Sequence, residues 1–410
     1  MTYLNHLHYQ KDTFSMIASQ ERKLSLYAEA AERRHKARVQ SIIDITNQEV
    51  TDQLGITETE HDPTKDVIYN IFVGNSSGMY SLTGFLPDEF EKLWCHVEEK
   101  FSAPSRGRRP SMSLRDILMV VLHFLRRYPR VEEAAAIFQL KPSTLQSIIT
   151  KYVPIMASAL KHDLIDSVAA EDIVYDQRFP DCGYVVDATV QEIYKPALNF
   201  EIAKKYFSGK HYIYCLKSQV IVNIKGLAVH IVTSIPGAKH DKNVFDSNIH
   251  DFEKIIALHP DQPKKILADK GYQDPNSAIL VTPVKGNSAD LTREQLTFNE
   301  NLGEVRIIVE NFFGRVKSRY EIMSSVFRGS HDTYADIFTV CCALVNFEQI
   351  ECNHGLRACD HKFYVRLQAS IKAKKKEADE KAKEKRKQQA RLRRRIFGMM
   401  DPEEQNENEG

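Results

Sequence analysis

Hydrophobic and polar positions change period along the chain, and the changes divide it. From Ser15 to Val50, Ala, Leu and Ile fall among Glu, Lys and Arg with no Pro or Gly, which predicts charged helix. Residues 56–84 are polar and turn-rich, with Asp62-Pro63 and Asn75-Ser76-Ser77-Gly78, and read as a linker. Residues 1–84 are therefore expected to be a charged helical region and linker. A second helical region covers 85–165. Pro87 to Phe101 is amphipathic and carries the single tryptophan, Trp94. Ser113 is placed to cap a helix with the stripe Leu114, Ile117, Leu118, Val121, Leu122 and Leu125, which Pro129 stops. A short Ala-rich helix follows over Glu132 to Phe138, and Gln139-Leu140-Lys141 breaks it. Pro142-Ser143-Thr144 opens another helix to about Leu160, which Pro154 should kink or break.

A short helix, a brief turn and a second helix opened by small polar residues describe a helix-turn-helix. In that geometry Ser143, Thr144, Gln146, Ser147 and Lys151 face DNA, while Leu145, Ile148 and Ile149 face the core. A plain helical hairpin shares the pattern. The basic segment Pro104 to Pro110 suits a narrow minor groove, and equally an exposed loop.

From Ile173 onward β-branched and aromatic residues rise, and strands are expected over Gly183–Glu192, Tyr212–Ile224 and Leu227–Ser234, with Lys225-Gly226 as a hairpin turn. Pro236 to Phe245 leads into a helix to about Leu258, and a fourth strand ends near Asp269. Two apolar runs thus end in acids, at Asp187 and Asp269. Ligands of open α/β sheets gather at the carboxyl ends of strands. Downstream, Val305, Ile308, Val309, Phe312, Phe313 and Val316 make a helical stripe with Glu310 at its edge. A helix packed on the sheet would aim Glu310 at the two aspartates. Three converging carboxylates repel one another and need a cation; all-oxygen ligands suit Mg²⁺ or Mn²⁺, and two such ions serve phosphoryl displacement. Taken singly, each acid also fits a solvated surface group or a helix cap. Lys270, Arg306, Arg315, Lys317 and Arg319 lie near these acids and suit phosphate oxygens, or ion pairs with Glu310 or Glu321.

Charge changes the picture at the carboxyl end. The chain's net charge is +1, yet residues 371–396 hold thirteen Lys and Arg against four acids, a net +9 that leaves −8 elsewhere. Runs at Lys383–Lys387 and Arg391–Arg395 suit nuclear import and non-specific DNA contact, in a tail expected over 365–410 to be helical or disordered with an acidic end. Seven scattered cysteines with no CxxC suit free thiols in a reducing compartment. Cys352, His354, Cys359 and His361 cluster, but at spacings unlike common zinc modules. Neither a secretory leader nor a membrane-spanning run is visible, so a soluble intracellular protein is expected.

Four separated motifs carry a resemblance: Val-Val-Asp-Ala-Thr, Pro-Gly-Ala-Lys-His-Asp-Lys-Asn-Val-Phe, Leu-Ala-Asp-Lys-Gly-Tyr and Arg-Ile-Ile-Val-Glu-Asn-Phe-Phe-Gly-Arg-Val-Lys. In this order they resemble the DDE transposases of the Harbinger type, over about 180–350, and 111–160 is similar to the helix-turn-helix those enzymes carry upstream. The resemblance implies an α/β core of RNase H type over 170–355, a mixed sheet flanked by helices. It implies that Asp187, Asp269 and Glu310 form an acidic triad holding two divalent ions. It implies cleavage of transposon ends and joining to target DNA in the nucleus, by a homo-oligomer on DNA with a Myb-like accessory protein. Asp241 is the rival for the second triad position, and His240-Asp241 belongs to the pattern as an auxiliary pair that orients water, metal or DNA. The segment Lys204 to His211 fits a basic insert of the family.

Overall fold

The computed structural model describes residues 66–352, apart from 104–111, 172–174, 198–199, 260–263, 275 and 288–289, and also 376, 380, 383, 384 and 387. The expected N-terminal helix, the basic 104–110 segment, His354, Cys359, His361 and most of the basic tail lie outside these residues. The helices before the sheet are α1 (Val67–Val73), α2 (Ser76–Thr83), α3 (Pro87–Ser102), α4 (Leu114–Arg127), α5 (Val131–Ile137), α6 (Pro142–Lys161) and the short α7 (Ser167–Ala169). The chain divides into two compact units. Of the described residues, one contains those within 66–87, 112–120 and 129–148; the other contains those within 88–103, 121–128 and 149–352.

In the first unit, part of the stretch read as a linker is helical. Asn75 accepts from Gly78 N–H and so caps α2, which makes Asn75-Ser76-Ser77-Gly78 a helix start and not a free turn. Asp116 takes N–H bonds from Ile68 and Tyr69 at the start of α1, and burial pushes its carboxyl up to about 6 against those bonds. Phe72, Met79 and Leu82 are buried. As expected, Ser113 Oγ accepts from Asp116 N–H at the head of α4. Between α5 and α6 the chain turns through Gln139, whose φ is 51°.

The second unit is built on a mixed sheet. Its strands are β1 (Cys182–Glu192), β2 (Phe207–Ser208), β3 (Ile213–Asn223), β4 (Ala228–Pro236), β5 (Lys265–Leu267) and β6 (Leu280–Val281). The order is β2-β3-β1-β5-β6, with β4 also on β3. The β1–β3 and β3–β4 pairs are antiparallel, whereas β5 lies parallel to β1 and to β6. The β3–β4 hairpin turns at Lys225-Gly226 as read from sequence; Gly226 has φ 81°, and Asn223 Oδ1 accepts from Leu227 N–H.

Side chains alternate across β1. Tyr184 and Val186 join Ile221, Ile266, Ala268, Phe245, Phe252 and Tyr272 in one core. Phe245 and Phe252 come from α9 (Asp241–Ser247) and α10 (Ile249–Ala257), two helices where the pattern predicts one; the break falls at Asn248, with φ −123°. Asp187 is on the other face of β1, which meets α11 (Arg293–Arg319). The last helix, α12 (His331–Ile350), supplies Asn346, which bonds both Ala228 N–H and Ala228 C=O. Helix α8 (Phe200–Tyr206) and strand β2 are additions to the predicted elements. Pro154 does not break α6, which runs through it and on into a π-helical turn, His162–Asp166. Among the described residues no helix is long and apolar enough to cross a membrane. The described cysteines, Cys352 included, are free thiols.

Candidate active site

Asp187 and Asp269 stand at equivalent points of adjacent parallel strands. Val185 is registered with Leu267, and each acid comes two residues later. Asp187 lies within β1, also opposite Val220 of β3, and is 9% exposed. Asp269 follows β5, where its side chain accepts from Gly271 N–H and caps the 3₁₀ turn Lys270–Tyr272. Burial pushes the Asp187 carboxyl up to about 6; Arg306 and the Ala188 N–H pull it down, and the negative charge of Asp269 adds to the rise. Mutual repulsion between the two acids is the electrostatic signature of a shared site.

Helix α11 supplies the next groups. A Thr292–Gln295 capping box starts it, well before the predicted stripe. Arg306 Nη2 meets Asp187 Oδ2 at 3.2 Å, and Arg306 Nε is buried without a hydrogen-bond partner among the described residues. Glu310 lies one turn further along the same face and is half-buried. Lys317, on that face again, donates to Val190 C=O at 2.8 Å and holds the far end of β1.

Asp241 begins α9, and His240 is the exposed residue that precedes it. The helix-cap alternative for Asp241 thus falls to His240's position, although His240's side chain caps nothing. Lys217 Nζ is 2.7 Å from Asp241 Oδ1, an ion pair rather than an aligned hydrogen bond, and also donates to Lys239 C=O. The loop is pinned by Gly237. A Cβ there would collide with Cys215 Sγ and with backbone oxygens of Tyr206 and Cys215. Gln219 of β3 joins the two acidic loops, donating to Asp241 C=O at 3.1 Å and to Tyr272 Oη at 2.9 Å. A Cβ on Gly271 would lie 3.9 Å from Asp241 Oδ2, so the Asp241 loop and the Asp269 turn are neighbours. Sequence alone does not single out Gln219 or Tyr272. A polar residue inside an otherwise apolar β3 run, and the buried tyrosine ending Asp-Lys-Gly-Tyr, are the only signals it carries for them.

The turn before β3 brings Lys210 and His211 to the same region. Lys210 is exposed and lowers the Asp187 carboxyl's affinity for its proton. Burial pushes His211 down to about 4, helped by Lys210 and Lys217, so the ring is neutral near pH 7.

Two expected phosphate ligands turn inward instead. Arg315 is 4% exposed and pairs with Glu348 of α12 at 3.0 Å. Lys317 is 8% exposed, and burial pushes it down to about 8. Arg319, half-buried, also pairs with Glu348, at 2.9 Å. Arg315 and Arg319 thus share Glu348, a buried carboxylate that needs full compensation, beside the alternative partners Glu310 and Glu321 offered by the sequence. In α6, Ser143, Gln146 and Ser147 are exposed, Thr144 and Lys151 are half-buried, and Leu145, Ile148 and Ile149 are buried. Lys151 Nζ sits 5.1 Å from the Tyr152 ring centre.

Among the described residues no group of three or more His, Cys, Asp or Glu side chains is arranged to hold a metal ion. The donors at Asp187 and Asp269 nonetheless fit a hard divalent cation. They are carboxylate oxygens, one is buried, and the Asp269 charge raises the cost of ionising Asp187, which a cation relieves. Arg306 supplies the positive charge there in this structure.

The span that carries these acids on neighbouring strand ends has known counterparts. Residues 186–346, from β1 to α12, match the family model of the DDE superfamily endonuclease. The chain is also similar to the probable transposase for insertion sequence element IS702 from Microchaete diplosiphon, with 26% identity over 260 residues, 61% of this chain and 86% of that protein. No solved structure matches the chain.

Proposed function

We propose that this protein is a DNA transposase of the Harbinger type, with an RNase H-like core, that cuts phosphodiester bonds at transposon ends and joins them to target DNA. The observation that carries the reading is the register of Asp187 and Asp269 on parallel strands within the span matching the endonuclease family. The named transposase relative supports the same class. The basic runs at Lys383–Lys387 and Arg391–Arg395 support action in the nucleus. A Myb-like accessory protein and a homo-oligomer on DNA belong to the reading through the family resemblance.

Asp187, Asp269 and Glu310 would hold Mg²⁺ or Mn²⁺, with Asp241 the rival already engaged by Lys217. Such ions, two in the expected arrangement, supply an activated nucleophile and offset charge on the reacting phosphate. The chain's own groups prepare the place. Gln219 fixes the two acidic loops, and Lys317 fixes β1 against α11. Arg306 has a spare buried donor for a phosphate oxygen once its hold on Asp187 is released. Exposed Lys210, near Asp187, is placed to meet the backbone of an approaching strand. Exposed His240 is left to touch DNA or water. Ser143, Thr144, Gln146, Ser147 and Lys151 would read DNA from α6.

A host-adopted DNA-binding protein that no longer cuts is the second reading. The observation on its side is the Arg306–Asp187 pair, which neutralises one acid internally. Cleavage of DNA bearing the element's ends, with Mg²⁺ or Mn²⁺, decides between them. Wild type should cut, and Asp187→Asn, Asp269→Asn and Glu310→Gln should each lose on the order of 100-fold or more, the loss of several kcal/mol of metal assistance. Asp241→Asn should lose less. Metal-dependent cutting by Asp269→Asn at the wild-type rate removes Asp269 from the triad; end-binding without cutting by wild type favours the second reading.

A further inference from the structure

A cavity of about 320 Å³ opens where the C-terminal ends of α4 and α11 meet. Arg126 and Arg127 line it from α4, Ser318 and Arg319 from α11, and Ser324 from the following turn. Lys317 forms part of the wall and Glu321 contributes one carboxylate. We propose that this cavity is a phosphate-binding site for the DNA backbone, separate from the acids of the candidate active site; the inference rests on the transposase reading.

Cations at helix C-termini are stabilising by themselves, because the last carbonyls carry partial negative charge. That role needs no hollow. Here two helix ends leave one, of the size of a small ligand cleft, with guanidinium groups from both helices around it; the Ser318 and Ser324 hydroxyls at its edge donate to the Arg315 and Glu321 carbonyls. Guanidinium forks suit phosphate oxygens. Glu348 holds Arg319 at 2.9 Å and fixes its side chain from below. The positive charge exceeds that of the Glu321 carboxylate. None of Asp187, Asp269 and Glu310 lines the cavity. Lys317, which does, is bonded to Val190 on β1, the strand that carries Asp187. A phosphate seated here would be tied through one side chain to the strand of the reacting centre, and would orient the duplex without reacting.

The test is fluorescence anisotropy of a labelled duplex with the full chain, across a series of salt concentrations. Wild type is compared with Arg126→Gln/Arg127→Gln and with Ser324→Asp, which puts an acid on the exposed rim. Both should bind at least about tenfold more weakly on any sequence, and the slope of log K against log salt should flatten by about 0.9 for each phosphate no longer neutralised. Ser324→Asp keeps the test open if the double arginine variant fails to fold. Wild-type affinity and slope in the folded variants overturn the site and leave the transposase reading standing. A wild-type chain that binds no duplex overturns both. Displacement of the duplex by micromolar inorganic phosphate at fixed ionic strength reassigns the cavity to a small anion and overturns the proposal as stated.

Discussion

Arg306 does for Asp187 what a cation would do. Its guanidinium lies 3.2 Å from a carboxylate that burial has pushed up to about 6. A positive side chain at that spot also repels an entering ion. Arg306→Gln should therefore bind Mn²⁺ more tightly, by about threefold to tenfold, or ~0.7–1.4 kcal/mol; electron paramagnetic resonance of free Mn²⁺ reads this without any turnover. Weaker binding would make the pair a scaffold that the ion depends on. At this scale the sequence is uneven. Asp187 and Asp269 are legible because each closes an apolar run. That Arg306 belongs to Asp187 is not, since the two meet only through the packing of a distant helix on β1. Arg315 and Lys317 are misread for a related reason. Charge suggests solvent, but α11 is buried on every side over Phe312–Lys317, and only the fold says which cations are inside.

Helices α11 and α12 are joined by a buried charge cluster. Glu348, 1% exposed, receives Arg315, Arg319 and the Tyr320 hydroxyl. Removing one member leaves uncompensated buried charge, so Glu348→Ala should cost about 3–5 kcal/mol, read from the urea midpoint. A cost below about 1 kcal/mol would show that water reaches the cluster. Elements themselves are well forecast where periodicity is strong: β1, β3, β4, α3 and α4 fall near their expected bounds. The misses have local causes. Asn75 and Ser76 look like turn residues and are a helix start. Pro154 is tolerated inside α6, in a helix otherwise anchored by Leu145, Ile148, Ile149 and Met156, all buried. Strand β5 shows in the sequence as a brief apolar run before Asp269, whereas β6, two residues long, is too short to announce itself by pattern.

At the scale of the whole molecule, charge is segregated. Residues 353–410 together carry a net +6, so a chain ending at residue 352 would hold −5 and should approach DNA against a net repulsion. Its duplex affinity at about 50 mM salt should fall on the order of tenfold or more, with a shallower salt slope; equal affinity would assign binding to the residues before 353 alone. The parallel pairing of β1 with β5 has a last consequence, in the order of synthesis. The ribosome delivers Asp187 first, then the β3–β4 hairpin that can close on β1 at once, then Asp269, and Glu310 later still. Non-local pairing waits for its distant partner. On the proposed reading, a nascent chain has no cutting centre until α11 has emerged, so a half-made or prematurely ended product is harmless to the nucleic acid around it.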